Sequence, residues 1–170
     1  LQDYASSNIQ LVFEEKVEIS SIIDNALKIQ ESNLNKNDVK IIKQYEAIEP
    51  IETHKTKLTH ILVNLIKNAV EAMRGNRENE SILKIKLYQN ELNNIVIEVS
   101  DNGEGIAPEN LKKIFTYGFT TKADGHGFGL HTCANYLNEM GGNISVHSDG
   151  IGKGATFKIV LNKKQEEVEQ

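Results

Sequence analysis

Two asparagines four residues apart, Asn64 and Asn68, an aspartate that leads a glycine turn, Asp101-Asn102-Gly103-Glu104-Gly105, and the run Gly125-His126-Gly127-Phe128-Gly129-Leu130 are the parts of this chain whose types and spacing suit chemistry. The last run opens into a helical pattern. A helix start offers free N–H groups and a positive dipole end, which favour an anion, phosphate above all. No Gly-Lys-Ser/Thr follows the run and no strand ends in it, so neither a P-loop nor a dinucleotide-binding unit fits the context. A third glycine loop, Gly152-Lys153-Gly154, reads by itself as a hairpin turn. Glycine adopts positive φ and admits a ligand with no Cβ in the way, so three such loops in one chain point to a ligand lying against main chain.

Asn64 and Asn68 share a helix face at the border of an apolar stripe. Their carbonyl oxygens are neutral, hard donors suited to a magnesium ion that keeps waters and phosphate oxygens as its other ligands. The alternative is that both amides are satisfied inside the protein, as buried polar groups normally are. Glu71, three residues past Asn68, either joins such an ion through water or belongs to a solvated face. Asp101 stands at the end of a strand pattern, where a carboxylate accepts hydrogen bonds. The exocyclic amine of adenine is a donor it could fix, and guanine presents an acceptor there instead. Without its neighbours, Asp-x-Gly is simply a turn.

The elements that must position these groups follow from periodicity. From Ser20, Ile22, Ile23, Ala26 and Leu27 form one helix face, with Ser21 and Asp24 as a capping box, and the helix fades over residues 33–37. Residues 39–45 are rich in β-branched side chains and predict a strand. The strongest helix spans residues 57–73, with Leu58, Ile61, Leu62, Leu65, Ile66, Ala69, Ala72 and Met73 in a broad apolar stripe. Residues 83–87 and 95–99 predict an antiparallel pair, and Pro108 opens a short helix over 109–114. A helix with Leu130, Cys133, Ala134, Leu137 and Met140 on one face stops at Gly141-Gly142, and strands over 144–148 and 155–161 close the pattern. This is an α+β arrangement: a two-layer α/β sandwich whose mixed, mostly antiparallel sheet packs on helices.

The 170 residues suit one domain, since a single core commonly organises about 100 to 200 residues. With 39% hydrophobic and 25% charged residues, 12 glycines and 2 prolines, the chain is neither disordered nor collagenous. Its 19 basic against 24 acidic residues give a net charge of −5, so no nucleic-acid partner is expected. The single cysteine, Cys133, supports neither an internal disulfide nor a cysteine-based zinc site and reads as a core residue. No run approaches the roughly 20 apolar residues of a membrane span. The expectation is a cytoplasmic domain without membrane contact of its own, whatever anchors the full-length protein.

In order and spacing, Asn64-Leu65-Ile66-Lys67-Asn68-Ala69, Asp101-x-Gly-x-Gly, Ile114-Phe115 through Phe119-Thr120-Thr121-Lys122, Gly-x-Gly-x-Gly-Leu and Gly-x-Gly-Ala-Thr-Phe closely resemble the catalytic and ATP-binding domain of sensor histidine kinases. That domain belongs to a superfamily shared with DNA gyrase, heat-shock chaperone ATPases and MutL proteins. The resemblance covers residues 17–162 and implies about five strands on three helices, with ATP between the helices and a lid. It implies that Asn68 coordinates Mg2+, with Asn64 beside it as a second candidate ligand, and that Asp101 binds the adenine amine. Gly103 and Gly105 would pass under the base, with Ile106 against it. Phe119 would anchor the lid, and Thr120, Thr121 and Lys122 would reach the triphosphate. Gly125 and His126 belong to the same phosphate loop, whose Gly127, Phe128, Gly129 and Leu130 would give backbone contacts. Thr156 would support the Asp101 network.

Gyrase-like members carry a water-activating glutamate where this chain has Asn64, and an amide is no general base. The expected activity is therefore transfer of the γ-phosphoryl of ATP to a histidine, not efficient hydrolysis. The five histidines, His54, His60, His126, His131 and His147, lack the phosphoacceptor pattern. The acceptor is expected on a dimerisation domain absent from this chain, with a response-regulator receiver domain as the further partner. His126 stands where the family often has threonine, either against nucleotide or on the lid surface. His60 and His131 read as ordinary helix residues. Residues 1–16 read as a linker with room for one short strand, or as the end of the dimerisation helix, and residues 163–170 as a charged tail. Two alternatives remain: a serine kinase of the anti-sigma type, and a nucleotide-sensing interaction module without turnover.

Overall fold

The computed structural model describes residues 14–76, 78–116, 118–119 and 129–162. In chain order its strands are β1 (Glu14–Val17), β2 (Val39–Tyr45), β3 (Ile51–His54), β4 (Ser81–Gln89), β5 (Ile95–Asp101), β6 (Asn143–His147) and β7 (Ala155–Leu161). Its α-helices are α1 (Ile19–Ile29), α2 (Glu31–Lys36), α3 (Lys55–Ala72) and α4 (Gly129–Glu139). A five-stranded sheet runs β2-β4-β5-β7-β6; β2 and β4 are parallel and the other neighbours antiparallel. β1 and β3 form a separate antiparallel ribbon, so folded structure reaches back to Glu14, into the stretch read as a linker.

Alternation along a strand sends every second side chain to the same face. On β4, Leu83, Ile85 and Leu87 are buried while Lys84 and Lys86 lie on the opposite face; β5 contributes Ile95, Ile97 and Val99, and β7 contributes Phe157, Ile159 and Leu161. These meet the apolar stripe of α3, whose Leu58, Ile61, Leu62, Leu65 and Ile66 are fully buried, together with Ile22, Ile23 and Ala26 of α1 and Cys133 and Leu137 of α4. The core is therefore one layer between the sheet and three helices. The expected α+β sandwich and its mixed sheet are both present.

Three local expectations are corrected and one element is added. The first helix begins at Ile19, not at a Ser21/Asp24 capping box: the apolar face extends one turn earlier through the buried Ile19, and Glu18 precedes it without a side-chain cap. Asp24 instead accepts hydrogen bonds from Lys43 (2.8 Å) and the Tyr45 hydroxyl (3.0 Å). The helix breaks at Gln30 into α1 and α2, where amide side chains bond locally: Asn33 to Gln30 and Asn37 to the Asn33 carbonyl. Such bonds compete with helical ones. The four-residue strand β3, too short to leave a periodicity, runs directly into α3. Finally, the helix expected over 109–114 is a 3-10 turn at Pro108–Asn110 followed by further turns, with Ile114 buried.

Candidate functional site

Asn64, Asn68 and Glu71 are half-buried on α3 beside its apolar stripe, as the spacing predicts. Behind Asn64 lies the fully buried Cys133 of α4. Its thiol donates to the Ile61 carbonyl at a sulfur distance of 3.8 Å. Burial pushes this thiol up to about 12, partly offset by a hydrogen bond from the Asn64 side chain. One of the two amides thus rests against a protonated sulfur at the α3–α4 contact.

Asp101 is the last residue of β5, opposite Leu83 of β4 on one side and Ala155 of β7 on the other. Its Oδ1 accepts the Gly103 N–H at 2.9 Å, which fixes the carboxylate relative to the turn. Asn102, which sequence reasoning passed over as a spacer, sends its side chain back to β4: Nδ2 donates to the Glu80 carbonyl (2.6 Å) and Oδ1 accepts from the Ile82 N–H (2.9 Å). The loop then docks on α3, with the Glu104 N–H donating to the Ala72 carbonyl at 2.8 Å. Ala72 ends the helix that carries Asn68 one turn earlier and Glu71 immediately before it. At Gly103 a Cβ would collide with that same Ala72 carbonyl. Glycine is required there by close approach, and this is the physical content of the Asp-x-Gly pattern.

Gly105 has φ +71°, and a Cβ there would meet the Gly150 carbonyl. The third glycine loop is thus packed against the Asp101 turn. Gly152 N–H donates to the Glu104 carbonyl (2.6 Å) and Gly154 N–H to the Gly103 carbonyl (3.1 Å). Ile106 is half-buried and packs against the core. Thr156, expected in the Asp101 network, shares a 2.8 Å hydrogen bond with Ser100, the residue before Asp101. A cavity of about 490 Å³ opens beside this loop, lined by Ala72, Asn76, Asn102, Gly103, Glu104 and Gly152 among others. Its lining does not include Asn64, Asn68 or Asp101.

At the other end, Phe119 is half-buried against the core and Phe115 meets Phe157 edge to face at 6.2 Å. Thr120, Thr121, Lys122, Gly125, His126, Gly127 and Phe128 lie outside the described residues. Gly129 opens α4 with no atom of the described residues within 4 Å of a would-be Cβ, and Leu130 packs on the core. His131, expected to be an ordinary helix residue, bonds through Nδ1 to the Phe115 carbonyl (3.2 Å) and through Nε2 to the Asn135 amide (3.2 Å). A carbonyl only accepts, so this pairing calls for the proton on Nδ1. No motif could have revealed it, because Phe115 and His131 are brought together by the fold alone.

A five-stranded mixed sheet covered by α1, α3 and α4, with a carboxylate at the end of its central strand and an asparagine pair on the facing helix, defines an ATPase-type sandwich. The family model described as histidine kinase-, DNA gyrase B- and HSP90-like ATPase matches residues 53–165, and the chain belongs to that family. Sensor histidine kinase ZraS of Salmonella typhimurium is 34% identical over 146 residues, covering 85% of this chain and 30% of that protein. Sporulation kinase C of Bacillus subtilis is 29% identical over 88% of this chain and 34% of that protein. This chain thus spans about a third of the length of such relatives. Among solved structures, the catalytic domain of histidine kinase ThkA in a nucleotide-free form superposes with a TM-score of 0.75 at 25% identity, covering 88% of this chain and 95% of that one. The chain is therefore a catalytic ATPase domain of the sensor histidine kinase type.

Proposed function

We propose that this domain binds Mg-ATP between α3, the 101–106 loop and the start of α4, and donates the γ-phosphoryl to a histidine on the dimerisation domain of the same cytoplasmic kinase portion. A response-regulator receiver domain then takes the phosphoryl group from that histidine. The observation that carries the reading is the bond between Glu104 and Ala72, because it fastens the Asp101 loop to the helix that bears Asn64 and Asn68. In this reading Asp101 accepts the adenine amine, Ile106 packs on the base, and Gly103 and Gly105 keep the loop thin beneath it. Asn68, with Asn64 as a neighbour, offers neutral amide oxygens to the cation, a donor set that suits magnesium completed by water and phosphate oxygens. When bound, that ion neutralises phosphate charge. Thr120, Thr121 and Lys122, with Gly125, His126, Gly127, Phe128, Gly129 and Leu130, surround the triphosphate, and Phe119 secures the segment they belong to. Thr156 steadies β5 through Ser100. With an amide at position 64, where gyrase-like members carry a water-activating glutamate, the domain's task is positioning and charge neutralisation, which is most of what phosphoryl transfer asks of a protein.

Calorimetry with a nonhydrolysable ATP analogue, with and without magnesium, tests this. Asp101→Asn weakens binding by about tenfold to a hundredfold with or without metal, the worth of a charge-assisted hydrogen bond. Asn68→Ala chiefly abolishes the gain that magnesium brings. Unchanged binding in both refutes the site. Incubated with ATP and a separate dimerisation domain, the wild-type chain yields an acid-labile phosphohistidine; an acid-stable phosphoserine would indicate the anti-sigma type of kinase instead.

A further inference from the structure

The β6–β7 connection, residues 148–154, is more than a hairpin turn. Its first residue, Ser148, is half-buried and its hydroxyl is saturated. Oγ–H donates to the Gly154 carbonyl at 2.6 Å, while Oγ accepts the N–H groups of Ile106 (3.0 Å) and Gly150 (3.3 Å). A hydroxyl has one proton and two lone pairs, so these three bonds use its whole capacity. The bond to Ile106 spans 42 residues of sequence and joins the two loops at their outer end. At the inner end the Gly152–Glu104 and Gly154–Gly103 backbone bonds already join them. Between these fastenings lies Gly105 at φ +71°, in contact with the Gly150 carbonyl. The path from Asp101 to Ile106 is therefore held from outside by a clasp whose one side-chain member is Ser148.

From this geometry we propose that Ser148 is a positioning residue for nucleotide recognition: its hydroxyl sets the height and direction of the Ile106 backbone, and so the shape of the surface that meets the purine. The inference rests on the adenine role given to the 101–106 loop. It assigns the third glycine loop to the base end of the nucleotide. Replacing Ser148 by alanine leaves two N–H donors and one carbonyl without their partner.

The test uses the full 170-residue chain. Affinities for Mg-ADP and for a nonhydrolysable Mg-ATP analogue are measured in wild type, Ser148→Ala, Ser148→Thr, Ser148→Val and Asp101→Asn, with amide hydrogen exchange at Ile106 followed in each Ser148 variant. Ser148→Ala weakens ADP and the ATP analogue alike, by about tenfold, since the clasp acts on the base and not the phosphates. Exchange at Ile106 accelerates in parallel. Threonine and valine have the same shape and differ in the hydroxyl, so Thr binds about tenfold tighter than Val even where the alanine variant folds poorly. Equal affinity of the Thr and Val variants, or Ile106 exchange unchanged in Ser148→Ala, overturns the proposal. If Asp101→Asn loses binding and Ser148→Ala does not, the clasp alone is wrong. If neither changes binding, the adenine reading fails and the clasp's role fails with it.

Discussion

Cys133 carries no charge at ordinary pH, and its environment explains why. It is fully buried, and burial pushes its thiol from about 9 up to about 12. The unfolded chain releases this proton more readily than the folded one. The resulting contribution to stability is complete below about pH 9 and is lost as pH rises toward 12. Wild-type chain therefore loses stability in denaturant titrations between pH 9 and 11 more steeply than Cys133→Ala, although the variant starts lower. An equal slope in the two chains would show that the thiol is not held protonated by the fold. The same burial keeps the thiol from alkylating agents until the chain unfolds. Asn64, whose amide bonds this sulfur, was legible in the sequence as a residue with a task, because an amide at the edge of an apolar stripe needs a partner. Its packing on Cys133 was not legible, since 69 positions separate the two residues.

Elements differ in how much of themselves they write into sequence. α3 and the central strands do so plainly, because apolar residues recur at the period of the structure and the buried face must be continuous. β3 has four residues and only a ribbon partner, and α1 ends at Gln30 through side-chain amides whose bonding follows no period. The glycine loops lie between these cases. Glycine marked the positions, but the reason, one backbone lying against another, came only with the fold. The consequence can be tested by contrast. Gly103→Ala collides with the Ala72 carbonyl and Gly154→Ala with the Asp101 carbonyl at φ +70°, whereas a Cβ at Gly75 has no atom of the described residues within 4 Å. The first two substitutions destabilise the chain by about 1–3 kcal/mol in urea unfolding through strain and a broken loop contact. Gly75→Ala leaves stability within about 0.5 kcal/mol. Similar losses at all three positions would remove the close-approach argument.

Across the whole molecule, stability and recognition draw on different parts. The core lies between three helices and one sheet face, and Leu62, fully buried in it, is distant in role from any polar group of the site. Leu62→Ala lowers unfolding free energy by about 2–5 kcal/mol, the usual cost of a cavity at such a position. Nucleotide affinity measured well below the unfolding midpoint stays near that of wild type. A large loss of affinity in the folded variant would mean that core and site are not separable. The overall sandwich was legible because strands and helices announce a two-layer solution when their apolar faces are counted. Strand order was not, since β2 joins the sheet in parallel beside β4 across the β3–α3 excursion.

β5 is hydrogen-bonded along both edges up to its final residue, Asp101. Shifting the backbone that carries that carboxylate would unzip two ladders together, and the Gly103 N–H holds the carboxylate itself, so one jaw of the cleft is a stationary anvil whose ordering was completed as the chain folded. An incoming purine meets it with little further loss of freedom.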